Sequence, residues 1–263
     1  MHAHLIQLNI AWEDKDANFS AVRRLVDSAR VSPGDLVVLP EMFDTGFSFN
    51  LPRTGDDDGR TLSFLKEVAR AHSVFVHGAR TAIEPGGRAR NRASIVSPDG
   101  AVLCEYDKIH PFTIGQEQDH FTGGSVVTTY PWSTPSGGSA VVCPVICYDL
   151  RFPELFRIGL LKGAQVYVVI ADWLSTRHVH WRTLAIARAI ENQAFVLAVN
   201  RVGRDPNAEY LGGSIAVGPR GEVLGELGAD EGVLSVEVDP AAVQEWRARF
   251  PAWRDHRLIG RTS

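Results

Sequence analysis

The sequence predicts an α/β protein built as a four-layer α-β-β-α sandwich. Short apolar runs alternate with stretches of helical spacing, an order that implies buried sheets covered by helices. The runs fall into two β-rich halves, each with helices to lie outside it. No Pro/Gly/Ser-rich or charged linker divides the chain, so residues 1–263 read as one domain.

Residues 4–11 read as a strand carrying Leu5, Ile6, Leu8 and Ile10. Residues 16–30 place Phe19, Val22, Leu25, Val26 and Ala29 at helical spacing, and a Pro33–Gly34 turn ends them. The compact run DLVVLP at 35–40 is a buried strand that delivers Glu41 at its end. Residues 59–72 form a second amphipathic helix, with Leu62, Leu65, Val68 and Ala69 on one face, and 73–81 follow as a strand. Residues 92–106 have the look of a β-hairpin, RASIV and AVLCEY about a Ser97-Pro98-Asp99-Gly100 turn, and deliver Lys108. Residues 109–129 are long, polar and irregular, which in a compact domain marks a functional or mobile loop.

An apolar run through Val141, Val142, Val145 and Ile146 leads to Cys147. Its β-branched content favours a buried strand, and a helical pattern resumes through Leu155, Phe156, Ile158, Leu160 and Leu161. Pro153 suits an early helical position, where its missing N–H is no loss. Residues 165–171 are a strand, 180–192 a helix and 194–200 another strand. Residues 211–219, 221–227 and 232–238 form a closing meander, and 241–250 a short helix. Residues 250–263, with Trp253 and Leu258 among charged side chains, have no evident home in their own sandwich. They are expected to pack across a two-fold axis onto a partner subunit.

Composition narrows the class of function. The chain is 44% hydrophobic and 22% charged, with a net charge of -4 and both signs interspersed, which is no footprint for nucleic acid. No apolar run reaches the roughly 18 residues of a membrane helix. Residues 1–12 lack the basic start and apolar core of a secretory signal. Three cysteines are too few and too irregular for a disulfide framework, and no paired Cys/His set completes a zinc site. The expectation is a cytoplasmic protein without a metal or other cofactor.

Glu41, Lys108 and Cys147 each follow a buried strand or hairpin edge, the end of an α/β sheet where ligands bind. A thiol needs a base, which Glu41 can supply when burial raises its pKa, and Glu41 can then return the proton to a leaving amine. Lys108 and the N–H after Cys147 can hold an oxyanion. A strand-to-helix turn at Cys147 would also lower the thiol pKa through the partial charge of the helix start. The bland alternatives are a small core thiol at Cys147, a solvated loop glutamate, and a surface Asp107–Lys108 ion pair worth at most about 1 kcal/mol.

LPEMF around Glu41, YDKIHPF around Lys108 and CYDLRFPELFR around Cys147 resemble the three catalytic motifs of the nitrilase superfamily, in that family's order and spacing. The resemblance covers essentially the whole chain, including residues 180–203 and the closing GGSIAVGPRGEVLGE. It implies the superfamily's α-β-β-α sandwich and a carbon–nitrogen hydrolase with a Glu–Lys–Cys triad. Glu41 is then similar to the general base and acid, Lys108 to the oxyanion stabiliser and Cys147 to the nucleophile. Glu117 resembles a second glutamate in the loop after the lysine, and Tyr148 and Trp173 fall where family members line the pocket. Arg151 and Glu154 are read as ion-paired supports of the turn. EMFDTGF, the DKIHPF loop and NRVG resemble the ω-amidase branch, whose members hydrolyse the side-chain amide of 2-oxo dicarboxylic acid monoamides. Deaminated-glutathione amidases and N-carbamoyl hydrolases share CYDLRFPE and are the alternatives, with a non-catalytic scaffold beyond them. The implied partners are a small amide substrate and a second copy of the chain, as a homodimer or larger homo-oligomer.

Overall fold

In the computed structural model, which describes residues 1–258, the chain forms two six-stranded sheets packed face to face. The first half runs β1 (His2–Gln7), α1 (Lys15–Ser28), β2 (Leu36–Val38), a one-turn α2 (Leu51–Thr54), α3 (Arg60–His72), β3 (Phe75–Ile83), β4 (Ala89–Val96) and β5 (Val102–Asp107). The second runs β6 (Tyr130–Ser133), β7 (Ser139–Ile146), α4 (Pro153–Leu161), β8 (Val166–Ala171), α5 (His178–Asn192) and β9 (Phe195–Asn200). It continues with a separate hairpin, β10 (Val202–Arg204) and β11 (Glu209–Leu211), then β12 (Ile215–Val217), β13 (Val223–Glu226), β14 (Gly232–Glu237) and α6 (Pro240–Arg249).

Both sheets repeat one topology. The orders are β14-β1-β2-β3-β4-β5 and β13-β12-β9-β8-β7-β6. In each, three parallel strands (β1-β2-β3 or β7-β8-β9) carry antiparallel partners at both flanks. The period of two along each strand sorts the core into layers. Leu5, Leu36 and Val38 face the second sheet, whereas Ile6, Val37 and Leu39 face Phe19, Val22 and Phe64 of α1 and α3. Those helices cover the first sheet, and α5 covers the second through Trp181, Ala185 and Ala189.

The expected elements are present, with three corrections. The closing meander is not one unit: β12 and β13 extend the second sheet, but β14 crosses to the first and pairs antiparallel with β1. Strand β6 is new; Pro131 hides it in the sequence, and an edge strand tolerates that residue. Within residues 109–129 the chain makes two 3-10 turns, Thr113–Gly115 and Glu117–Asp119. The described part of the tail touches its own subunit at Trp253, whose N–H donates to Gln193 Oε1 at 3.1 Å and whose indole lies under the Arg247 and Arg254 guanidiniums, while Phe250 and Leu258 stay exposed. Residues 259–263 of the expected tail lie outside the described residues. Among the described residues no helix is long and apolar enough to cross a membrane.

Candidate active site

Four strand ends meet at one place. Glu41 follows β2, Lys108 follows β5, Cys147 follows β7 and Asp172 follows β8. Lys108 is aimed inward because the ladder continues past β5: its N–H donates to the Asn91 carbonyl of β4 at 2.9 Å. Its Nζ donates to Glu41 Oε1 at 2.9 Å and to Glu117 Oε2 at 2.8 Å, with all three side chains buried. The reading of Asp107–Lys108 as a surface pair is therefore wrong; Asp107 is held by Arg92 instead. Asn91 Nδ2 bridges the two glutamates, donating to Glu41 Oε1 at 2.6 Å and Glu117 Oε1 at 3.1 Å. Asp172 N donates to Glu41 Oε2 at 2.9 Å, so both oxygens of Glu41 are held. The Phe112 N–H donates to Glu117 Oε2 at 2.6 Å, which ties the irregular loop to the lysine.

Cys147 stands in the left-handed region at φ 45°, where a non-glycine residue is uncommon and strained. A regular strand would alternate its side chain toward a sheet face; this backbone turns it out at the strand end. The residues after it form a 3-10 turn, Cys147–Arg151, and α4 begins only at Pro153. The thiol is thus not at an α-helix start, and the expected downward shift is reversed. Burial pushes its pKa well above the usual thiol range, the Glu41 carboxylate adds to this, and Lys108 opposes it. Burial alone would pull Lys108 down, but Glu117 and Glu41 outweigh it and hold the ammonium well above its ordinary range. Glu117 is itself raised by burial, against the pull of Lys108. The arrangement sets a thiol whose ionisation burial disfavours beside the Glu41 carboxyl group, with Lys108 between two glutamates.

The turn after Cys147 is braced by residues other than those expected. Asp149 Oδ2 accepts from Tyr106 Oη at 2.7 Å and Ile146 N at 3.3 Å, while its Oδ1 accepts from His110 N at 2.9 Å. The His110 ring also meets Asp149 Oδ1 at 2.7 Å and stacks on Phe152. Arg188 on α5 donates through Nε and Nη2 to the Leu150 carbonyl. Arg151 and Glu154, by contrast, form no ion pair among the described residues; the Arg151 guanidinium lies 4.6 Å from the Trp173 ring centre and meets His180 Nδ1 at 3.3 Å.

A cavity of about 380 Å³ reaches Cys147, Lys108 and Glu41, and both Tyr148 and Trp173 line it. Phe47, Phe49 and Phe112 make its walls largely apolar. Sequence reasoning missed Asn91, which nothing in an alternating strand marks out, and Asp172, which the same strand-end rule would have found. Asp172 has no hydrogen-bond partner on either oxygen, and burial raises its pKa well above the carboxylate range against Arg201. Among the described residues, no group of three or more His, Cys, Asp or Glu is arranged to hold a metal ion.

A family model described as Carbon-nitrogen hydrolase matches residues 3–248. The chain is 34% identical over 254 residues to the 2-oxoglutaramate amidase of Bacillus subtilis (strain 168), covering 96% of each protein. It is 32% identical to omega-amidase YafV of Escherichia coli (strain K12), covering 95% of this chain and 94% of that one. Its fold superposes with a TM-score of 0.90 on XC1258 from Xanthomonas campestris, a CN-hydrolase superfamily protein solved with an arsenic adduct in the active site; the two are 31% identical, over 99% of this chain and 98% of that one.

Proposed function

The chain belongs to the carbon-nitrogen hydrolase family, and from that premise we propose an ω-amidase acting through a cysteine thioester. Its substrate is a small 2-oxo dicarboxylic acid monoamide of the 2-oxoglutaramate kind, released as the acid and ammonia. The observation that carries the reading is the meeting of the Glu41 carboxylate, the Lys108 ammonium and the Cys147 thiol at one cavity. Relatives named 2-oxoglutaramate amidase and omega-amidase, similar over nearly the full chain, support the acyl class.

In the proposed sequence Cys147 gives its proton to Glu41 as sulfur attacks the amide carbonyl. Lys108 Nζ and the N–H of Tyr148 stabilise the oxyanion, the largest single contribution in reactions of this type. Glu41 then protonates the departing amine, and ammonia leaves. Water attacks the thioester, with Glu41 again the base and Cys147 the leaving group. Glu117 holds Lys108 and the Phe112 loop in place. The protein is expected to work in the cytoplasm as a homodimer or larger homo-oligomer, with Phe250 and Leu258 among the exposed apolar side chains of the tail.

Ammonia release from a panel of ω-amides, aliphatic nitriles and N-carbamoyl amines tests this directly. Carboxylate-bearing ω-amides are expected to be turned over best, and hydroxylamine to divert the acyl group to a hydroxamate. A preference for nitriles or N-carbamoyl amines moves the chain to a sibling activity.

A further inference from the structure

The cations around the cavity divide into two kinds. Lys108 is already between Glu41 and Glu117. Arg201, fully buried behind the wall, is between Asp172 and Asp205, at 3.9 and 3.7 Å. Arg151 and Arg177 also line the cavity, and neither forms an ion pair among the described residues.

Both guanidiniums are held instead on aromatic faces. Arg151 lies over Trp173 at 4.6 Å and near Tyr148 at 5.9 Å; Arg177 lies over Phe112 at 5.3 Å. The rings interlock: Phe112 and Tyr148 meet edge to face at 5.1 Å, and Trp173 Nε1 donates to the Arg177 carbonyl at 2.8 Å. Stacking fixes a guanidinium in one orientation while leaving most of its N–H groups free; Arg151 spends only Nη1, on His180 Nδ1 at 3.3 Å. The two guanidiniums also repel: burial pulls Arg151 below its ordinary range and Arg177 lowers it further. Two like charges kept together without an acid, beside the proposed nucleophile, are arranged to meet an anion.

We propose that Arg151 and Arg177 are the specificity-determining residues of the cavity, a paired clamp for the 2-oxo acid end of the substrate. The inference rests on the proposed amidase reading and names what that reading leaves open: which side chains select the acyl group. A planar carboxylate with an adjacent keto oxygen offers acceptors to two forks at once. The same pair selects by repulsion. A 2-amino acid amide such as L-glutamine brings an ammonium group to the position where two guanidiniums stand, so a wrong substrate is rejected as well as a right one held.

The experiment compares glutaramate, pentanamide and L-glutamine on wild type, Arg177→Gln and Arg177→Lys. Arg177 is chosen because it lies outside the Cys147–Arg151 turn. For Arg177→Gln the ratio of kcat/KM on glutaramate to that on pentanamide should fall by about 30-fold, the scale of one charge-assisted pair, with discrimination against L-glutamine relaxed in parallel. Arg177→Lys should recover part of both. Equal losses on all three substrates would make the arginine a structural prop and overturn the clamp. Calorimetry of 2-oxoglutarate binding to Cys147→Ala, with and without Arg177→Gln, gives an arm independent of turnover: affinity should drop by about 30-fold, and an unchanged affinity also overturns the proposal. Should wild type hydrolyse no ω-amide, the amidase reading fails while this binding arm still decides the arginines.

Discussion

The main-chain N–H of Asp172 donates to Oε2 of Glu41 across the junction of the two sheets. Each residue lies beyond the middle strand of a three-stranded parallel set, so the repeated topology brings equivalent ends of the two halves into contact. The proposed base is thus oriented by the sheet that carries the nucleophile. Lys108 and Asn91 hold its other oxygen.

Glu41→Gln should stop acylation. An amide would point N–H groups at a donor on one side or the other, and it cannot take the thiol proton. Turnover should drop by at least about 1,000-fold, the upper part of the range for a lost general base. Intact-mass spectrometry should find no acyl-enzyme; an adduct accumulating in this variant would assign the base elsewhere.

Cys147→Ala should abolish turnover while the fold persists, and substitution of Cys104 should matter little. The raised thiol pKa makes a further demand. With its pKa pushed well above the ordinary thiol range by burial and by Glu41, the thiol resists ionisation at neutral pH. Alkylation of the resting enzyme by iodoacetamide should therefore be slow at neutral pH and still climbing past pH 9. A plateau reached below pH 7 would show a thiolate already formed.

Glu117→Gln should leave some acyl-enzyme forming and slow its hydrolysis, because Glu117 touches Lys108 and Phe112 N but not the thiol directly. Asn91→Ala withdraws one donor from both glutamates and should lower kcat by about 10- to 100-fold. Single-turnover kinetics separate the two steps. Wild-type rates in both variants would reduce the site to one working glutamate without its bridge.

His77 predicts an acid sensitivity. It is fully buried between the sheets, meets Tyr130 Oη at 3.2 Å, and burial lowers its pKa from 6.5 to about 3. Unfolded chains take up a proton below pH 6.5 while the folded chain does not, so stability falls as pH drops from 6.5 toward 3. The loss is about 2 kcal/mol by pH 5. Asp44, raised to about 6, works in the opposite direction over the same interval. The measurement is consequently a comparison of slopes: denaturation midpoints of His77→Phe should decline less than wild type between pH 6.5 and 5. Parallel slopes would mean that His77 is protonated in the folded state.

Much of this was legible from residue pattern. Short continuous apolar runs rich in β-branched residues mark β2, β7 and β8, which are buried almost throughout, and the strand-end rule then points at Glu41 and Cys147 without further help. Other features depend on contacts between residues remote in sequence. Asn91 acquires its place from pairing with β5, Asp149 from a loop residue 39 positions away, and Arg188 from the meeting of α5 with the turn. The sign of the Cys147 shift was misread because a local rule about helix starts was applied where burial and Glu41 decide. Trp253 has no visible neighbour in the sequence because Gln193 lies 60 positions away.

The return of β14 to the first sheet bears on how the chain acquires its structure. Strand β1 is made before every other strand of the two sheets described, and its outer edge pairs residue for residue with β14, from His2↔Glu237 to Gln7↔Gly232. The Val238 N–H even donates to the Met1 carbonyl. Until some 230 further residues have emerged, that edge has no partner, and exposed strand edges recruit other chains. Contacts of such separation also slow folding. Strand β1 must therefore wait for β14, and a nascent chain halted after β13 would be left with an open, sticky margin.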